Sequence, residues 1–163
     1  MIIRPATTAD HAAIAELTTA AFGGPDGGEA NIVAGVRAER RVVAELVAED
    51  DGEIIGHVLF SRMTADPAKA VAALGPLSAA PARQNQGIGS ALAQSGIEAC
   101  RAAGMDAVVV LGHPPYYPRF GFSREAAAKL NSPYAHLPAF MAMTLTPGAL
   151  DEPMTVAYPA AFG

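Results

Sequence analysis

Apolar residues recur along the chain with two periods, which predict helices and strands in turn. Apolar side chains three and four residues apart predict helices over residues 12–22, 29–37 and 87–103. Alternating or continuous apolar runs predict strands over residues 2–4, 42–48, 53–63, 70–79, 107–111, 140–145 and 154–158. Residues 112–122 are expected to form a compact loop or a short helix, so the order is β-α-α-β-β-β-α-β-α-β-β.

One strand–helix–strand unit, over residues 74–111, is set within a series of antiparallel strands. This order predicts an α/β fold with a mixed, mostly antiparallel central sheet flanked by helices, in one domain spanning residues 1–163. Ser95 and Gly96 keep one face of the long helix thin, so that it can pack close to the sheet. Gly75-Pro76 interrupts the strand before this helix, which indicates a bulge or a bend.

Composition excludes several classes of protein. The chain has 163 residues, of which 51% are hydrophobic and 17% are charged, which is typical of a chain with a packed core and not of a disordered one. The net charge is −5, and Arg40-Arg41 is the only basic pair. Because nucleic-acid binders carry a basic patch, we expect no nucleic-acid partner.

The single cysteine, Cys100, allows no disulfide framework and no CxxC metal motif, so we expect no metal. The N-terminus does not resemble a signal peptide, and no apolar run is long enough to span a bilayer. We therefore expect no membrane association and a cytoplasmic location.

The stretch from Leu77 to Leu92 is predicted to contain a strand end, a glycine loop and the first turn of the long helix. Gly87 and Gly89 leave backbone N–H groups uncovered at a helix N-terminus, a geometry that binds anions. The loop is neither a Walker A loop nor a Gly-x-Gly-x-x-Gly loop, and its spacing alone is also compatible with simple close packing. The preceding bulge could free strand backbone for an extended ligand.

Gln84-x-x-Gly87-x-Gly89, followed by Tyr117-x-x-x-Gly121-Phe122, resembles the motifs of the GNAT superfamily of acetyl-CoA-dependent N-acetyltransferases. Residues 116–122 also resemble the Tyr-Tyr-x-Arg-Phe-Gly-Phe block of a bacterial subfamily. The resemblance implies a GNAT-like sheet with a splayed strand pair, and acetyl transfer from acetyl-CoA by direct attack of a primary amine. The acceptor is a small molecule or a protein, and the chain could form a homodimer. Thr144 stands where subfamily members often carry Glu.

The resemblance also implies which residues bind the cofactor. The amides around the glycine loop would hold the pyrophosphate, while the backbone of the preceding strand would pair with the pantetheine arm and polarise the thioester carbonyl. These residues are Leu77, Ser78, Ala79, Gln84, Asn85, Gln86, Gly87, Ile88, Gly89 and Ser90.

Tyr117 is the predicted general acid, because a phenol can give a proton to a departing thiolate. Without the resemblance, an aromatic core residue would be the commoner interpretation of Tyr117. The general base stays open between Glu29, His57, His113 and water. Glu29 could instead complement a helix dipole, His57 could be a core histidine, and His113 could cap a loop.

Two other functions compete with catalysis. A non-catalytic acyl-CoA-binding or sensor module would keep the fold and bind CoA without releasing thiol. An interaction domain would use the apolar surface of the closing strands. Residues 23–28 are expected to be a connector, or a mobile rim over the substrate site.

Overall fold

The computed structural model describes residues 1–24 and 27–163, so part of the predicted 23–28 rim lies outside the described residues. The strands of the described chain are β1 (Ile2–Pro5), β2 (Val42–Asp50), β3 (Glu53–Arg62), β4 (Thr64–Asp66), β5 (Val71–Ala79), β6 (Ala107–Leu111), β7 (Leu130–Asn131), β8 (Phe140–Thr144) and β9 (Met154–Ala157). The α-helices are α1 (His11–Phe22), α2 (Gly28–Ala38) and α3 (Ile88–Ala102). A 3-10 helix, Tyr117–Phe120, occupies part of the predicted compact loop.

The central sheet has six strands among the described residues, in the order β1-β2-β3-β5-β6-β8. Every neighbouring pair is antiparallel except β5 and β6, which are parallel and joined by α3. The predicted mixed, mostly antiparallel α/β fold is therefore confirmed. The predicted strand at residues 154–158 forms as β9 (Met154–Ala157), but it does not close the central sheet, because it lies between β4 and β7 in a separate three-stranded sheet.

Helices cover both faces of the central sheet. On one face, Gly96 of α3 lies so close to Phe60 that a Cβ built at Gly96 would be only 2.0 Å from the Phe60 ring. This glycine therefore provides the thin helix face that the sequence predicts. On the other face, Ile14 of α1 and Val36 of α2 pack against Leu59 of β3 in a buried cluster.

The parallel pairing of β5 with β6 ends at Leu74 and Val110. Leu77 of β5 pairs with Val58, and Leu74 pairs with Phe60, so β5 carries one extra residue between these pairs. The extra residue falls at Gly75-Pro76 and is the predicted bulge. Beyond the bulge, β5 separates from β6, which leaves the splayed strand pair that the sequence resemblance implies.

The hydrogen bonds of β3 fix the direction of the backbone beyond the bulge. The Ala80 N–H donates to the Ile55 carbonyl at 2.9 Å. In this register, Ala79 and Leu77 each lie opposite a β3 residue in a non-hydrogen-bonded pair. Their own N–H and C=O groups therefore point away from β3, into the gap beside β6.

In the part of the chain that the structure describes, no helix is long and apolar enough to cross a membrane. Within the same residues, no group of three or more His, Cys, Asp or Glu side chains is arranged to hold a metal ion.

Candidate active site

A cavity of about 580 Å³, which we name the loop cavity, opens beside the end of β5 and the start of α3. It contains every predicted cofactor-binding residue except Gln86, whose side chain instead accepts a hydrogen bond from Arg83 Nε at 3.2 Å. The lining residues are Leu77, Ser78, Ala79, Arg83, Gln84, Asn85, Gly87, Ile88, Gly89, Ser90, His113, Tyr116, Tyr117 and Arg119.

The start of α3 presents unpaired amide groups to this cavity. Gly87 is the N-cap residue in a left-handed conformation (φ 80°), and no side chain caps the helix. The Ala91 N–H donates to the Gly87 carbonyl at 3.0 Å, so the amides of the three residues between them lack an intrahelical acceptor. Together with the helix dipole, these amides form a site for an anion.

Two arginines line the loop cavity. Arg83 Nη2 donates to Asp50 Oδ2 at 2.8 Å. The Arg119 guanidinium lies 4.3 Å from the Tyr116 ring centroid, and its Nε donates to the Tyr116 carbonyl at 2.8 Å. Sequence reasoning selected neither arginine, although Arg83 directly precedes the glycine motif and Arg119 lies inside the tyrosine block.

Tyr116, which we expected from the sequence only to pack in the core, contacts the start of α3. Its Oη lies 2.8 Å from Ser90 Oγ, which joins the tyrosine block to the first turn of α3. A Cβ built at Gly89 would meet this same hydroxyl at 3.5 Å, an ordinary contact distance.

A cavity of about 470 Å³, which we name the aromatic cavity, lies between α1, α2, the bulge of β5 and the C-terminal segment. Leu77, His113 and Tyr117 line both cavities, which therefore meet at these side chains. The lining residues are Phe22, Glu29, Ile32, Leu74, Gly75, Pro76, Leu77, Leu111, Gly112, His113, Tyr117, Tyr134, Tyr158 and Phe162.

Tyr117 is held at this junction by close packing. Its ring lies edge-on to Tyr116 and Phe122, with centroids 5.1 and 5.9 Å away. A Cβ built at Gly112 would lie 2.3 Å from the Tyr117 ring, so only glycine fits at that position. Burial, with a smaller effect of Tyr116, raises the pKa of Tyr117 to about 12. The phenol therefore keeps its proton at neutral pH and can act as a donor.

The three candidate bases do not lie together. Glu29 lines the aromatic cavity and His113 lines both cavities. His57 lines neither, because it is fully buried and its Nε2 donates to Glu45 Oε1 at 2.9 Å. Burial alone would raise the pKa of Glu45, but hydrogen bonds from His57 and Arg37 outweigh it and lower the pKa to about 2. His57 thus occupies the core position that the sequence left as its alternative.

Comparisons with known proteins agree on one family. A model of the acetyltransferase (GNAT) family matches residues 12–122. The uncharacterized N-acetyltransferase YjhQ of Escherichia coli K12 is 36% identical over an alignment of 157 residues that covers 90% of this chain and 83% of YjhQ.

Two crystal structures are similar to this chain over nearly its whole length. The GNAT family N-acetyltransferase YhbS of Escherichia coli, in complex with CoA, has a TM-score of 0.89 and 29% identity, over 99% of this chain and 91% of YhbS. A GNAT family acetyltransferase of Brucella melitensis, in complex with acetyl-CoA, has a TM-score of 0.84 and 36% identity, over 99% of this chain and 97% of that protein.

Proposed function

The chain belongs to the GNAT family of acetyltransferases, and we propose from its geometry how an acetyl-CoA-dependent N-acetyltransferase uses the loop cavity and the aromatic cavity. In this proposal acetyl-CoA binds in the loop cavity and a primary amine binds in the aromatic cavity. The observation that carries it is that the cavities meet at Leu77, His113 and Tyr117.

The residues of the loop cavity fit the chemistry of CoA. The uncapped amides at the start of α3 suit a pyrophosphate, and Arg119 adds a cation for the remaining negative charge, whereas the charge of Arg83 is paired with Asp50. The N–H and C=O groups of Leu77 and Ala79, which point away from β3, can donate to and accept from an extended pantetheine arm. When bound, acetyl-CoA supplies an acyl group as a thioester, which an amine can attack.

Three groups at the junction serve the transfer. His113 takes the proton of the incoming ammonium, because it is the imidazole that lines both cavities. A backbone N–H of Leu77 or Ala79 donates to the carbonyl oxygen, where negative charge develops. The neutral amine forms the C–N bond as the C–S bond breaks, and Tyr117 gives its proton to the departing thiolate. The second proton that the nitrogen loses on becoming an amide restores the Tyr117 phenol. Glu29 holds the ammonium in the aromatic cavity before attack.

The proposal also includes an acceptor that is a small molecule or a protein, a homodimeric enzyme and a cytoplasmic location. The buried Cys100 supports the cytoplasmic location, because a free core thiol suits a reducing compartment.

The acetyltransferase proposal is tested by following thiol release from acetyl-CoA with a panel of primary amines, alongside calorimetry of CoA binding. A protein that binds CoA and releases no thiol with any amine would be a sensor module instead.

A further inference from the structure

Several aromatic rings line the aromatic cavity. Tyr134 lies edge-on to Tyr158 with centroids 5.6 Å apart, and Tyr158 lies 5.0 Å from Phe162. Phe22, at the end of α1, adds a side chain that is 45% exposed. Rings that converge on one cavity are suited to hold an apolar body, since aromatic faces bury a large area at low cost in entropy.

The charge of this cavity is restricted to one place. Among the described lining residues, Glu29 is the only carboxylate, and no lysine or arginine is present. A single ammonium can pair with Glu29, whereas a second ammonium on the same molecule would find no second carboxylate among the described lining residues. The cavity therefore fits a monoamine better than a polyamine.

Tyr158 adds a polar group that the folded chain does not use. Its hydroxyl is buried and, within the described residues, has no hydrogen-bond partner. An unpaired buried hydroxyl is costly, so such groups in cavity walls are commonly satisfied by a ligand. Burial, with a smaller effect of Tyr134, raises the pKa of Tyr158 to about 12, so this hydroxyl stays a donor.

We propose that the acceptor is a small primary monoamine whose ammonium pairs with Glu29, whose ring or branched apolar body packs on the aromatic walls, and whose far oxygen accepts a hydrogen bond from Tyr158. The cavity volume of about 470 Å³ lies within the range typical of small-molecule sites. This inference rests on the proposed function, because it names the substrate class of the same site.

The first experiment compares four amines: 2-phenylethylamine, 2-(4-methoxyphenyl)ethylamine, spermidine and a lysine-containing peptide. Calorimetry measures their binding to the CoA-bound enzyme, and thiol release measures their turnover. We expect both aromatic monoamines to bind at least about tenfold more tightly than spermidine or the peptide. Tighter binding of spermidine or the peptide would overturn the inference.

The two readouts separate the two proposals. Binding of the monoamines without thiol release from any amine would reject the proposed function and keep the substrate class. Thiol release with spermidine or the peptide, without monoamine binding, would keep the proposed function and reject the substrate class.

The second experiment replaces Tyr158 by Phe, with Tyr134→Phe as the matched control on the same wall. In Tyr158→Phe we expect the KM of the methoxy amine to rise about five- to tenfold while kcat stays within about twofold, and 2-phenylethylamine to be unaffected. The thermal midpoint of the ligand-free protein should not fall, because an unpaired hydroxyl is removed. An unchanged KM of the methoxy amine in Tyr158→Phe, or a lowered midpoint, would show that the hydroxyl serves the fold and not the acceptor.

Discussion

At the scale of single residues, Tyr117 is fixed by its neighbours without any ligand. Gly112 leaves room for its ring, and Tyr116 and Phe122 contact it edge-on. The packing that makes Tyr117 resemble a core residue in the sequence also positions its hydroxyl-bearing ring between two cavities. Core packing and proton donation are therefore compatible at this position. The kinetics of a variant that keeps the ring and loses the hydroxyl can distinguish the two roles.

Replacing Tyr117 by Phe removes the proton donor and keeps the ring. We expect kcat for acetyl transfer to fall about a hundredfold, while the dissociation constant of CoA changes by less than about threefold. Thiol-release kinetics and calorimetry measure these two quantities. Because burial raises the pKa of Tyr117 to about 12, the wild-type rate should show no loss from Tyr117 ionisation below about pH 11.

Tyr116→Phe is the matched control, since it also removes one phenolic hydroxyl from the loop cavity. It breaks the contact to Ser90 at the helix start, so it should weaken CoA binding more than it lowers kcat. Equal losses of turnover and affinity in Tyr117→Phe would assign Tyr117 to packing alone.

Glu45 links the acid stability of the protein to its buried ion pairs. Its pKa is lowered from 4.5 to about 2 against the opposing effect of burial, by hydrogen bonds from His57 and Arg37. A lowered folded-state pKa contributes stability that is present above the unfolded value and is lost as the pH falls from about 4.5 to about 2. We expect this contribution to be roughly 2–3 kcal/mol.

Glu45→Gln should therefore lower the free energy of unfolding at pH 7 and flatten its fall below pH 4.5. Urea unfolding at pH 7, 5 and 3 measures this, with the exposed Glu53→Gln as control. The Arg4 guanidinium holds the pKa of Asp10 well below its usual range, so both variants keep that further acid dependence. An unchanged slope in Glu45→Gln would mean that Glu45 titrates normally.

At the scale of elements, the end of β5 and the start of α3 work as one unit. The bulge at Gly75-Pro76 turns the strand away from β6, and Gly87 begins the helix with its amides uncovered. Both features are visible in the sequence, as Gly75-Pro76 inside a strand pattern and as Gly87 directly before a helical pattern. This is why the loop could be predicted from local signals.

Gly89→Ala tests whether the first turn of α3 is kept bare for a ligand. Inside the protein the added methyl would meet only Tyr116 Oη at 3.5 Å and a Leu77 methyl at 3.9 Å, both ordinary contacts. The fold should therefore keep its thermal midpoint or gain slightly, because alanine favours helices. CoA affinity should fall about tenfold or more, because the methyl covers amides that face the phosphate. Unchanged affinity in calorimetry would exclude this turn from the CoA site.

Other features of the fold could not be predicted from the sequence, for reasons that differ from one feature to the next. β4 and β7, at Thr64–Asp66 and Leu130–Asn131, are too short to show a period. β9 was predicted as a strand, but its sheet is decided by pairing with β4 and β7, far away in sequence. Likewise, Tyr158 reaches the aromatic cavity only through the tertiary fold, which brings the C-terminal segment beside residues of α1, α2 and β5.

At the scale of the whole molecule, the two cavities differ in charge although the chain as a whole is acidic. Arg83 and Arg119 line the loop cavity, whereas Glu29 lines the aromatic cavity. An anionic donor and a cationic acceptor would thus each meet the opposite charge and converge at Tyr117. The arrangement separates the two substrates by charge before they react.

This division predicts that variants on the two sides act on different substrates. Phe22→Ala, on the rim of the aromatic cavity, should raise the KM of an acceptor amine several-fold and leave the dissociation constant of CoA within about twofold. Arg119→Gln should do the reverse, and its loss of CoA affinity should shrink as salt screens the lost attraction. Arg101→Gln is the charge-matched control, because Arg101 is paired with Glu98 and lines neither cavity. Calorimetry at two salt concentrations gives the dissociation constant of CoA, and steady-state kinetics give the KM of the amine. If Phe22→Ala lost as much CoA affinity as Arg119→Gln, the two cavities would form a single site.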